Sequence, residues 1–206
     1  EAGSTATRTN HSSISGIVPK SQANQYPINW VTCSDAQSLA TKVASGTSKT
    51  SSLMFGIQWD LVQKYIETKL ITQGSNLLTA QSLLKTNSTS WGNYQSTLYE
   101  LTNSNVKYSL NNGANWLTTI PFSKTSTSDK IFLTTGALTT FAKQNIFDFA
   151  GNVWEYTLEY SGNTASPCTI RGGAYESTAS ENNANTRTVA TTTFSYSSVG
   201  FRVSIY

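Results

Sequence analysis

Apolar and polar positions along this chain come in short bursts rather than long periods. Tyr26-Pro27-Ile28-Asn29-Trp30-Val31 reads as a strand-like entry. Ser34-Asp35-Ala36-Gln37 behind it fits a capping box, in which the serine oxygen accepts the amide three residues on and the glutamine reaches back. The helix this predicts runs through Leu39, Ala40 and Val43 to a stop at Gly46. A second helix is predicted from about Gly56 to Leu70, where Trp59, Val62, Tyr65 and Ile66 recur at helical spacing. Between about 72 and 130 the pattern weakens into loops, with Asn111-Asn112-Gly113 as a turn signal. Ile131-Phe132-Leu133 and Ile146-Phe147 read as short buried runs, and from Trp154 onward short strands are broken by Gly, Asn and Ser. Residues 1–20 are small and polar, an arm or linker able to dock a short strand near Ile17-Val18. Residues 21–206 then form one domain without tandem repeats. Strands and helices do not alternate regularly, so the expected class is α+β: two helices, short twisted antiparallel strands and much irregular structure.

Composition narrows the function. Of 206 residues only 12% are charged and 37% apolar, while about 60 are Ser or Thr and about 17 are Asn. The 5 Trp, 10 Tyr and 8 Phe argue against disorder, which goes with high charge and few aromatics. No apolar run is long enough to cross a bilayer as a helix. The net charge of +3 comes from scattered Lys and Arg without a basic stripe, which argues against a nucleic-acid partner. Two cysteines, Cys33 and Cys168, leave both a long-range disulfide and a pair of buried thiols open. The single histidine, His11, excludes histidine triads and histidine metal cages. The chain starts at Glu1 without Met or an apolar signal core, as a processed or excised piece of a longer product would. A surface rich in Ser, Thr and Asn suits an extracellular, cell-surface or virion setting.

The carboxy-terminal third carries the most specific pattern. Gly151-Asn152-Val153-Trp154-Glu155-Tyr156-Thr157 is followed by Arg171-Gly172-Gly173-Ala174-Tyr175, then Arg187, then Gly200-Phe201-Arg202-Val203. On physical grounds alone, Gly172-Gly173 permits close backbone approach or positive φ. Arg202, set between Phe201 and Val203, needs a partner if buried, with Glu155 or a backbone carbonyl in reach. In order and spacing these pieces resemble the formylglycine-generating enzyme (sulfatase-modifying factor) family, a variant of the C-type lectin fold, and the likeness extends over roughly residues 25–206.

What the resemblance implies about chemistry is mixed. Enzymes of the family oxidise a substrate cysteine with two active-site cysteines that bind copper(I), a metal thiolates favour. The matching positions here are Ser177 and Asn182, and Cys168 precedes the glycine pair, so no copper and no formylglycine-generating activity are expected. An iron-dependent branch that makes carbon–sulfur bonds needs histidines this chain lacks. The carboxylate pairs Glu155/Glu159 and Glu176/Glu181 stand without histidine or motif, a poor basis for general acid–base catalysis. Family members also bind structural calcium before the Trp-Glu pair. Carried over by position, its ligands would be the Asp148 side chain, the Gly151 and Val153 carbonyls and the Glu155 carboxylate, hard oxygen donors on a tight loop. The alternative is that Glu155 pairs with Arg171 or Arg202 in an empty loop.

Residues 176–198, ESTASENNANTRTVATTTFSYSS, lie where the family's enzymes hold their active site. Adaptable Ser, Thr and Asn with a few rigid aromatics are the make-up of a paratope. The segment is also similar to the hypervariable region of diversity-generating retroelement variable proteins, which have the same fold and end on a Gly-Phe-Arg-like motif. Adenine-directed mutagenesis of Asn codons yields chiefly the residue types found here, Glu176 and Glu181 excepted. The expected function is therefore a non-enzymatic display domain of a phage or bacterial surface, with 171–206 as its ligand-binding region. Its ligand is a protein or glycan on a host or neighbouring cell. The expected contact set is Ser177, Thr178, Glu181, Asn182, Thr186, Thr188, Val189, Thr191, Phe194 and Tyr196, anchored by the last two, because aromatics dominate interface energetics. An undiversified lectin-like structural or adhesion module is the alternative, and an oxidoreductase of the family the more distant one.

Overall fold

The computed structural model describes residues 1–206. Its centre is a four-stranded sheet of β1 (Trp154–Thr157), β2 (Cys168–Arg171), β3 (Arg187–Ala190) and β4 (Val199–Phe201), in the spatial order β3-β2-β1-β4. β1 pairs antiparallel with β2, placing Glu155 opposite Arg171 and Tyr156 opposite Ile170. β4 departs from the expected antiparallel pattern and pairs parallel with β1, Tyr156 facing Phe201. Side chains alternate between the two faces of each strand. Tyr156, Cys168, Ile170, Ala190, Val199 and Phe201 thus form one apolar side. Helix α1 (Cys33–Ala40) covers it with Ala36 and Leu39, and Val31 just ahead of the helix joins them.

The cap of α1 lies two residues earlier than the sequence pattern suggests. Thr32 Oγ1 accepts the Asp35 amide at 3.3 Å, and Asp35 accepts the Thr32 amide at 2.9 Å. A carboxylate accepting the returning bond is stronger than the neutral amide of Gln37, so the Thr32 box wins over the Ser34 one. The regular helix ends at Ala40, and turns carry the chain to Gly46.

Helix α2 (Gly56–Thr72) forms where its periodicity predicts, opened by Gln58, whose Oε1 accepts the Phe55 amide at 2.8 Å. A third helix, α3 (Leu77–Lys85), falls in the stretch that reads as loop. Asn76 caps it by accepting the Thr79 amide at 2.8 Å, and only Ala80 and Leu84 are fully buried. Leu77 and Leu78 are exposed, which blurs the helical stripe. α2 and α3 enclose a second core of Trp59, Ile66, Leu84, Trp91, Tyr94 and Phe149, with the Trp59 and Phe149 rings stacked at 4.1 Å. Residues 99–141 add a third core of Leu101, Val106, Tyr108, Leu133 and Phe141, bounded by two short strand pairs.

Residues 1–20 are not a free arm. Gly3–Ser4 pairs with Tyr26–Pro27, and the Ala2 amide donates to the Phe201 carbonyl. Arg8 is buried and donates to the carbonyls of Ser12, Ser13, Asn29 and Trp30. A guanidinium satisfied by four carbonyls ties the segment to the domain. No helix is long and apolar enough to cross a membrane.

Candidate functional site

Two places bear on function: the loop ahead of β1, and the face built by residues 176–198. In the first, Asn152 is a hub. Its Oδ1 accepts Asn93 Nδ2 at 2.9 Å, its amide donates to the Asn93 carbonyl, and its carbonyl accepts the Tyr175 amide. Glu155 is 1% exposed, and both its oxygens accept from Arg202, at 2.8 and 2.9 Å. Arg202 also donates to the Phe147 and Asp148 carbonyls at 2.9 and 2.8 Å. Burial alone would lower the Arg202 pKa, but Glu155 overrides it and holds the guanidinium more firmly charged. Asp148 accepts the Gly136 amide at 2.6 Å, and burial pushes its carboxyl up.

This arrangement does not fit calcium at Asp148, Gly151, Val153 and Glu155. Both Glu155 oxygens already serve a guanidinium, and a divalent ion beside them would face that positive charge at close range. Arg171 takes other partners, Asp60 at 3.0 Å and Glu159 at 3.2 Å.

In the Gly172-Gly173 pair both residues have positive φ, +89° and +76°. A Cβ on Gly173 would collide with the Asn182 carbonyl, so the close approach expected there is required. That contact helps divide the carboxy-terminal segment in two. Residues 177–186 dock on the helices: Trp59 Nε1 and Gln63 Nε2 donate to the Ala184 carbonyl, Asn183 Nδ2 donates to the Lys85 carbonyl, and Ala179 and Ala184 enter the second core. Ser177, Thr178, Glu181, Asn182 and Thr186 belong to this docked part. Thr178 donates to Glu181 at 2.6 Å, and the Ser177 carbonyl accepts the Gln95 amide.

Residues 187–198 behave differently. Thr188, Val189, Thr191, Phe194 and Tyr196 come together around an open cavity of about 490 Å³ against the sheet. Val189, Phe194 and Tyr196 are 48%, 39% and 45% exposed. Their backbone, in contrast, is fixed from outside the segment. Tyr156 Oη donates to the Phe194 carbonyl at 2.7 Å, and Asn29 Nδ2 donates to the Ser197 carbonyl at 2.8 Å. The Trp30 and Trp154 amides donate to the Tyr196 and Ser198 carbonyls. Trp30 has φ +54°, a strained conformation for a bulky residue, and its ring lies 5.6 Å from that of Tyr196. The expected contact set left out Trp154, Ser166, Ile170, Glu176, Ala190, Ser198 and Val199, which also line the cavity, although Glu176, Ala190 and Ser198 fall within the expected binding segment. Strand pairing brings the first and third of these there, a signal that local composition does not hold.

Cys33 and Cys168 are free and buried in the first core, where burial and the neighbouring Cys33 push the Cys168 thiol up to about 12. They do not line the carboxy-terminal cavity.

The sheet, the α1 layer and the loop ahead of β1, held by Asn152 and Arg202, define a mixed α+β domain of the formylglycine-generating-enzyme type. The chain belongs to the family of sulfatase-modifying factor enzyme 1-like domains, whose model matches residues 3–205. Among solved structures it is similar to the crystal structure of CarF, with a TM-score of 0.53 at 17% identity. That match covers 86% of this chain and 66% of CarF, and it speaks for the fold. No curated protein matches the chain in sequence.

Proposed function

We propose that this chain is a non-catalytic display domain that grips a protein or glycan on a host or neighbouring cell through its carboxy-terminal face. In this reading it is a variable protein of a diversity-generating retroelement, carried on a phage or bacterial surface. The observation that carries the reading is the split between backbone and side chains in residues 187–198. Pairing with β2 holds the main chain of 187–190, and scaffold groups from Asn29, Trp30, Trp154 and Tyr156 hold the carbonyls of 194, 196, 197 and 198, while Val189, Thr191, Phe194 and Tyr196 project around a cavity. Such a segment can change its side chains without changing its path, as a diversified binding site must. Further support comes from Ser177 and Asn182, whose hydroxyl and amide stand where the enzymes it resembles place thiols.

Sequencing the same locus in related strains tests the reading. Substitutions confined to adenine-bearing codons within 176–198, beside a reverse transcriptase and an adenine-rich template copy, are expected. Variation spread evenly along the chain, with no template, would overturn diversification. Copper bound by the purified protein, with oxidation of a cysteine peptide, would overturn the non-catalytic reading.

A further inference from the structure

The cavity against the sheet has a chemical bias that narrows what it can hold. Its rim and walls are apolar and aromatic: Trp154, Val189, Phe194 and Tyr196. Among the 12 lining residues there is one charged side chain, Glu176, and no Lys, Arg or His. Glu176 is half-buried, and its Oε1 accepts the Ser198 hydroxyl at 2.5 Å. Ser198 is buried, with its carbonyl tied to the Trp154 amide at 2.7 Å, so the serine that grips the carboxylate is itself fixed. The structure gives the other carboxylate oxygen, Oε2, no protein hydrogen bond.

The acids that point from the opposite face of the sheet contrast with it. Glu155 is neutralised by Arg202, and Glu159 by Arg171 and Arg187. Glu176 has no such partner. A half-buried carboxylate among aromatic rings, with no cation of its own, attracts a cationic group from outside. The ring faces add cation–π attraction, and the apolar walls accept the alkyl stem of a long basic side chain. An anionic group would meet Glu176 without compensation.

Resting on the display reading above, we propose that this cavity receives a lysine or arginine side chain presented by the partner protein, with Glu176 as its counter-ion. The aromatic and apolar walls take the stem, and Glu176 Oε2 accepts from the ammonium or guanidinium.

Titration of isotopically labelled protein with Nα-acetyl-lysine-N-methylamide, followed by amide chemical shifts, tests this directly. Nα-acetyl-norleucine-N-methylamide, which has the same stem without the ammonium, and the glutamate analogue serve as controls. Lysine is expected to shift amides of 154, 170, 176 and 188–199, norleucine several-fold more weakly, and glutamate not at all. Glu176→Gln, which keeps shape and loses charge, should weaken lysine about fivefold and leave norleucine unchanged. Equal binding of lysine and norleucine, or no effect of Glu176→Gln in a folded variant, overturns the counter-ion assignment while leaving the face as a binding site. Shifts induced by glutamate at the same amides do likewise. If no probe moves 188–199, the cation proposal falls, and locus sequencing then decides the display reading separately.

Discussion

Replacing Glu155 by Gln is the sharpest test of how the loop ahead of β1 is held. The carboxylate is 1% exposed, and Arg202 opposite it is 12% exposed. The guanidinium spends two of its four hydrogen bonds on Glu155 and two on the Phe147 and Asp148 carbonyls. The introduced carboxamide would keep one acceptor but turn an NH₂ toward the guanidinium and leave a buried cation without its counter-charge. Removing one partner of a buried pair costs about 3–5 kcal/mol. In a domain of this size 1 kcal/mol moves the melting midpoint by about 2–4 °C, so a drop of roughly 6–20 °C is expected by calorimetry or circular dichroism. Arg202→Met should cost a similar amount, because it removes the donors to both Glu155 oxygens and leaves only the Glu1 amino group, 3.7 Å away, beside that carboxylate. The double variant Glu155→Gln/Arg202→Met should recover much of the loss, since two neutral groups need no counter-charge. Calcium belongs in the same assay: millimolar calcium should leave the wild-type midpoint unchanged. A Glu155→Gln cost below about 1 kcal/mol, or a midpoint that rises with calcium, would refute the ion-pair account and restore a cation to Asp148 and Glu155.

Thiols, pH and the carboxy-terminal face offer further tests. Cys33 and Cys168 should not react with a thiol reagent at neutral pH in the native protein and should both react in denaturant. Both are buried, and the Cys168 thiol, pushed up to about 12, carries almost no thiolate. Rapid labelling of either in the native state would contradict this. The folded chain holds the Asp148 proton more tightly than the unfolded chain does, so this group favours folding below the ordinary carboxylate range and loses that contribution as pH rises through the elevated value. Asp148→Asn, which keeps an acceptor for the Gly136 amide, should therefore melt close to wild type near about pH 4 and gain on it toward about pH 7; a gain that shrinks with rising pH would be the wrong sign. Tyr156→Phe deletes the bond to the Phe194 carbonyl and should cost about 1 kcal/mol in urea unfolding, whereas the exposed Phe194→Ala should cost less than that.

How much of this could be read from the residues depended on how local each signal was. The run Trp59, Val62, Ile66 gave α2 because burial there follows the helical period. Arg202 between two apolar residues required a buried partner, and both sequence candidates, Glu155 and the backbone carbonyls, serve it. Gly172-Gly173 signalled close approach, and Asn182 and Trp59 stand there. Helix α3 was hidden because Leu77 and Leu78 face solvent and its buried stripe is two residues wide. The docking of residues 1–20 was equally hidden, since it depends on carbonyls 21 and 22 residues from Arg8. The carboxy-terminal face was half legible. Composition marked 176–198 as one unit, but strand pairing and the Ala184 contacts split it, and Trp154 and Ile170 reach the cavity from strands far away in sequence.

If scaffold bonds rather than the segment's own side chains fix the path of residues 187–198, those side chains can be exchanged freely. A pool of variants randomised together at Thr188, Val189, Thr191, Phe194 and Tyr196, displayed on cells and sorted for folded protein by thermal challenge, measures this. Most members should survive at wild-type temperatures, and the survivors should include binders to unrelated proteins. A pool that survives only where the original residues return would mean that these side chains hold the fold, and the face would then be structure rather than a place to bind.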